Sequence, residues 1–119
     1  MEIRITGLDY QVTPEDRAYL EERLVAIDRI LGRDAQRAEY DVELGKVDSH
    51  AHSGSIWKAT IAVTYGKEYS FVESIGESIK EAIDTTKDEL MSNLRKQRSL
   101  HRLLLRKGSR MIKGLIHRE

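Results

Sequence analysis

The stretch from Gly76 to Gly108 constrains the fold more than any other part of the chain. Within it Ile79, Ala82, Ile83, Leu90, Leu94, Leu100 and Leu104 fall in one sector at about 100° per residue, the period of an amphipathic helix. A helix from Glu77 to Lys107 is therefore expected, about 46 Å long at 1.5 Å per residue, with these residues facing a core. A second stripe, Lys80, Lys87, Arg95, Arg98, Arg102 and Arg106, runs beside the first and is densest near the C-terminus.

That stripe is part of a wider segregation of charge. The whole chain balances 20 Lys and Arg against 20 Asp and Glu, yet nine of the basic residues and one acid, Glu119, lie from Arg95 onward. Twenty less nine leaves 11 basic residues for the rest, and 20 less one leaves 19 acidic ones. A basic arm on an acidic body is the usual footprint of polyanion binding, which the neutral total conceals. Cations also favour helix C-termini and solvated faces without binding anything.

The remaining elements follow from alternation and turn signals. Glu2 to Gly7 sets Ile3 and Ile5 against Arg4 and Thr6, a short half-buried strand. Thr13 suits an N-cap, Pro14 the first helical position, and Glu15 and Asp16 the first turn. Leu20, Leu24, Ile27 and Leu31 then give the apolar stripe of a helix that stops at Gly32. Three strands are expected next: Gln36 to Leu44, Ser55 to Tyr65 and Glu68 to Ile75. A loop from Lys46 to Ser55 separates the first two, and a tight Gly66-Lys67 turn the last two. The order is β-α-β-β-β-α. It predicts an α+β fold, a four-stranded mixed sheet with two helices packed on one face. A nine-residue strand covers only about 30 Å, so the long final helix should overhang the sheet.

At 119 residues one body is expected, with residues 1–100 forming the domain and residues 101–119 a basic amphipathic extension. There is no cysteine, so neither a disulfide framework nor a thiolate metal site can form. No signal-like N-terminus and no apolar run near about 18 residues is present, so no membrane partner is expected and the location reads as cytoplasmic.

Catalytic chemistry has little behind it. The chain has no Gly-rich phosphate loop, nucleophile elbow or Cys-His pair, so no enzyme activity, small-molecule substrate or cofactor is expected. His50 and His52, with Asp48, fall short of the four ligands of a structural metal site, and no metal is assigned. Glu39, Asp41 and Glu43 share a strand face and resemble an acid site, but cross-strand pairing with Lys58, or solvent, explains them more simply. Trp57 and Tyr65 fall on the apolar side of their strand, which suits core better than base stacking. His101 and His117 belong to the basic arm. Met111, Ile112, Leu115 and Ile116 share one side of the tail, which leaves two options open: folding back on the body, or meeting a partner, including a second copy.

Several runs carry a family resemblance. Ile5-Thr6-Gly7, Val12-Thr13-Pro14, Arg17, Tyr19-Leu20-Glu21-Glu22-Arg23-Leu24 and Ile27-Asp28-Arg29, followed by Trp57-Lys58-Ala59-Thr60-Ile61, Ala82-Ile83-Asp84, Leu90 and Leu94-Arg95-Lys96, together resemble the ribosome hibernation promoting factors. This family is also known as ribosome-associated inhibitor A or sigma-54 modulation proteins, and the likeness is to its short form. The resemblance implies a translation inhibitor that occupies the channel for messenger and transfer RNA on the small ribosomal subunit, holding 16S-type ribosomal RNA through basic helix residues. Carried onto this sequence, those residues are Arg23, Arg29, Lys87, Arg95, Lys96 and Arg98, to which the arm adds Arg102 and Arg106. Arg17 also matches, though its place equally suits a pair with Glu21. Leu8, Ala26, Glu89 and Ser92 stand where the family commonly has cations, and Lys80 where it has an aromatic residue. The arm is expected to offset those losses. The long forms carry a ribosome-pairing domain beyond the residues matched here, so no such role is expected. The alternative is an interaction module of the same fold whose RNA or protein partner is not the ribosome.

Overall fold

Alternation decides which residues each strand buries. The computed structural model describes residues 1–47 and 56–106. Its strands are β1 (Glu2–Leu8), β2 (Glu39–Lys46), β3 (Trp57–Tyr65) and β4 (Glu68–Gly76), and its helices α1 (Pro14–Leu31) and α2 (Ile79–Arg106). The four strands form one sheet in the order β1-β2-β3-β4. β1 and β2 are joined through α1 and pair parallel, whereas β2-β3 and β3-β4 pair antiparallel, as crossover and hairpin connections require. Both helices cover the same face. Leu20, Leu24, Ile27 and Leu31 of α1 and Ala82, Ile83, Leu90 and Leu94 of α2 meet Tyr40, Val42, Leu44, Ala59, Ile61 and Val63 in one core.

Local chemistry fixes the helix starts. Thr13 accepts from the Asp16 amide at 3.0 Å, and the Asp16 carboxylate accepts from the Thr13 amide at 3.1 Å, a reciprocal capping box. The Tyr10 hydroxyl also donates to Asp16. Burial alone would raise the Asp16 carboxyl; the bonds from Tyr10 and Thr13 and the charge of Lys80 outweigh it and hold the group below its usual value. Ser78 caps α2, accepting from the Glu81 amide at 3.1 Å. At Gly76 a Cβ would lie 2.8 Å from the Ala82 amide nitrogen, so only glycine lets α2 begin so close to the end of β4. Gly66, with φ of 62°, makes the β3-β4 turn.

Three expectations change. Residues Gly32–Arg37 form a 3-10 helix where the alternation predicts a strand from Gln36. An Asp34–Arg37 pair at 2.8 Å holds that turn, and β2 starts only at Glu39, opposite Glu2. Leu100, placed by periodicity in the buried stripe, is 58% exposed, and Leu104 is half-buried, because the sheet ends near Tyr65 while the helix continues. Asp41 pairs with Arg4 on β1 at 3.6 Å, and Lys58 instead reaches Glu73 at 3.6 Å. Trp57 and Tyr65 behave as expected: Tyr65 is buried, and Trp57 packs on the core edge-to-face with Tyr10, their ring centroids 5.0 Å apart.

Candidate nucleic-acid interface

The cationic stripe of α2 lies along its seam with α1. Tyr19 and Arg23 face it from α1, and the seam is closed by charge. The Tyr19 hydroxyl donates to Asp84 at 2.7 Å and the Arg23 Nε to the same carboxylate at 3.1 Å. The Arg23 guanidinium stacks 4.0 Å above the Tyr19 ring, and a second nitrogen lies 3.3 Å from Glu22. Partial desolvation would lower the Arg23 value, but the bonds to Asp84 and Tyr19 overcome it and raise the guanidinium above its ordinary range; the Asp84 bond likewise raises the Tyr19 hydroxyl. Lys80 sits 3.9 Å from Glu15 and 5.4 Å from the Tyr19 ring. Lys87 pairs with Asp88 at 2.8 Å, with its side chain 20% exposed.

The C-terminal half of the stripe is different. Between Arg95 and Arg106 there are five Lys or Arg and no acid. Arg98 is bound, 3.0 Å from Asp34, and the Arg37 and Arg98 bonds hold the Asp34 carboxyl below its usual range. Arg95, Lys96, Arg102 and Arg106 are exposed and make no ion pair among the described residues. At 100° per residue Arg95, Arg98, Arg102 and Arg106 span about 80°, with Lys96 about 80° further round. Beneath them, between the 3-10 helix, the β3-β4 turn and the overhang, lies a groove of about 980 Å³ with Ile30, Tyr65, Leu100 and Leu104 in its lining and Arg37 and Lys67 at its rim.

The structure thus brings the sequence-assigned residues into two groups. Arg23 and Lys87 are engaged within the helix pair, with Arg98 tied to the 3-10 helix. Arg95, Lys96, Arg102 and Arg106 project from the overhang, and Arg29 is exposed in the last turn of α1. Arg17 makes the i,i+4 pair with Glu21, at 3.8 Å. Of the positions lacking the family cation, Glu89 and Ser92 are exposed on α2, while Leu8 and Ala26 are half-buried. Sequence reasoning missed Asp34, Asp84 and Lys67; only the Asp34-to-Arg37 spacing carried a local signal. His50, His52 and the tail from Lys107 to Glu119, including His117 and its apolar side, lie outside the described residues. Among the described residues no group of three or more His, Asp or Glu converges as a metal site. No described helix is long and apolar enough to cross a membrane.

This fold defines a class already seen in solved structures. The N-terminal domain of Protein Y from Thermus thermophilus superposes with a TM-score of 0.62 at 22% identity, over 81% of this chain and 98% of that one. A ribosomal subunit interface protein from Coxiella burnetii gives 0.64 at 13% identity, over 83% and 99%. At such identities the likeness is one of fold. The sequence model of the family described as sigma 54 modulation protein / S30EA ribosomal protein matches residues 3–102. The chain belongs to that family of ribosome-associated hibernation and modulation factors, which are binding factors and not enzymes. No curated protein sequence matches it.

Proposed function

We propose that this protein inhibits translation as a hibernation factor, occupying the messenger and transfer RNA channel of the small ribosomal subunit and gripping 16S-type ribosomal RNA through helix cations. One observation carries the reading: the overhang presents Arg95, Lys96, Arg102 and Arg106 without ion-pair partners among the described residues. Phosphate binding needs cations that are not already neutralised. Arg29 adds a contact from α1, while Arg23, Lys87 and Arg98 set the angle between the elements that carry the others. Residues 1–100 supply the domain, and residues 101–119 extend its basic surface. A ribosome-associated role places the protein in the cytoplasm.

Co-sedimentation with vacant small subunits and whole ribosomes, at low and moderate salt, tests this. Near-stoichiometric, salt-sensitive binding that competes with initiator transfer RNA is expected. Absence of binding at either salt refutes it and leaves a module of the same fold with another partner.

A further inference from the structure

The sheet face that neither described helix covers is amphipathic across its width. On β4 it presents Tyr69, Phe71 and Ile75, which are 61%, 48% and 52% exposed. Two strands away, about 10 Å at normal spacing, β2 presents Glu39, Asp41 and Glu43, with Glu2 of β1 opposite Glu39. Arg4 and Lys58 are the cations of this face among the described residues, and both are engaged, by Asp41 and Glu73. The face is therefore apolar along β4 except at Glu73, largely uncharged on β3, where Thr60, Ala62 and Thr64 lie, and acidic on β2.

The overhang of α2 has the complementary character. Lys96, Leu100, Leu103 and Arg106 recur at intervals of four, three and three, which places them on one side within about 120°. Leu100 and Leu103 are 58% and 42% exposed, and the two cations bracket them. These two surfaces cannot meet within one molecule. α2 is held on the opposite side of the sheet by Ala82, Ile83, Leu90 and Leu94, and it runs as one helix to Arg106.

We propose that a second copy of this chain covers the open sheet face. The overhang of one molecule lies on the face of the next, with Leu100 and Leu103 against Tyr69, Phe71 and Ile75, and Lys96 and Arg106 directed at Glu39 and Glu43 of β2, the carboxylates that Arg4 and Lys58 leave unpaired. The dimensions agree, since twelve helical residues span about 18 Å and four strands about 19 Å. The contact joins two different surfaces, so every added copy leaves one overhang and one face open and assembly runs head to tail past the dimer. A patch of this size sits at the weak end of interfaces and depends on opposite charge, so it forms at high concentration and low salt.

Sedimentation equilibrium of the full chain from about 10 μM to about 1 mM, in the range where weak interfaces act, reads this directly. The mean mass is expected to rise with concentration beyond that of a dimer at low salt and to fall when salt is added. Phe71→Lys and Leu103→Glu change exposed side chains, so both variants should keep the parent far-ultraviolet circular dichroism. Each alone should remain monomeric. Mixed in equal amounts they should give a one-to-one dimer and nothing larger, because each retains the surface the other lacks. A parent that stays monomeric throughout overturns the proposal. So does a mass that stops at the dimer and is unaffected by Leu103→Glu, the signature of symmetric pairing between β4 edges. A mixture that fails to dimerise also overturns it. None of these readouts requires ribosomes, so they stand or fall independently of the hibernation reading.

Discussion

Replacing Arg102 and Arg106 together by alanine separates the cations proposed to meet RNA from those that hold the protein together. Both side chains project from the overhang without an ion pair among the described residues. Each phosphate contact contributes about 0.7 to 0.9 to the slope of log affinity against log salt. The double variant should therefore lose about 1.4 to 1.8 from the slope for small-subunit binding. Between about 50 and 200 mM salt each lost contact removes roughly a threefold change in affinity, so the variant should lose about tenfold of the parent's salt response. Arg23→Ala is the control from the other group. Its guanidinium already serves Asp84, Glu22 and the Tyr19 ring, so the slope should stay within error while the thermal midpoint falls. Filter binding or sedimentation at four or more salt concentrations supplies the slopes, and a thermal melt the midpoint. An Arg23→Ala slope reduced as much as that of an overhang variant, or an unchanged slope in the double variant, would refute the division.

Leu94→Ala should cost about 2–5 kcal/mol by opening a cavity in the core, whereas Leu103→Ala, 42% exposed, should stay within about 0.5 kcal/mol of the parent; urea titrations distinguish them. The Tyr40 hydroxyl donates to Asp28 at 2.6 Å, and Tyr40→Phe should lose about 1 kcal/mol with the packing intact, read from the shift in urea midpoint at constant m-value. Asp34 and Asp16 are both held below 3.8 in the folded protein. A depressed folded value gives stability that is complete above the unfolded value and lost as pH falls through the folded one. Stability should thus decline below about pH 4, and Asp34→Asn should flatten that decline; an unchanged slope in acid would remove Asp34 from the account.

Local signals made most of the architecture legible. Thr13-Pro14 and Gly66 act within a few residues, so α1 begins, and β3 turns into β4, where the sequence says they should. Strand faces were legible for the same reason, since alternation is local. The state of each cation was not. Arg23 and Asp84 are 61 residues apart, and Arg98 and Asp34 are 64 apart, so nothing in the local pattern says that they meet. Nor could periodicity reveal that Leu100 is exposed. The apolar repeat of α2 continues past Leu94 unchanged, while the sheet that would cover it stops.

Helix length explains why the two groups of cations differ. α1 has 18 residues and α2 has 28, so at 1.5 Å per residue α2 is longer by about 15 Å. Along the shared length, Glu15, Asp84 and Asp88 lie close enough to neutralise Lys80, Arg23 and Lys87. Beyond the end of α1 the following 3-10 helix offers Asp34, which takes Arg98, and Arg102 and Arg106 meet no acid among the described residues. On the RNA-binding reading the family cations missing at Ala26, Glu89 and Ser92 belong to the shared length, where neighbouring acids already discount a positive charge. Arg102 and Arg106 of the arm lie where no described carboxylate competes with phosphate. On the same reading the mismatch between two packed helices leaves Arg102 and Arg106 available for a polyanion and extends the proposed surface toward the C-terminal end of the fold.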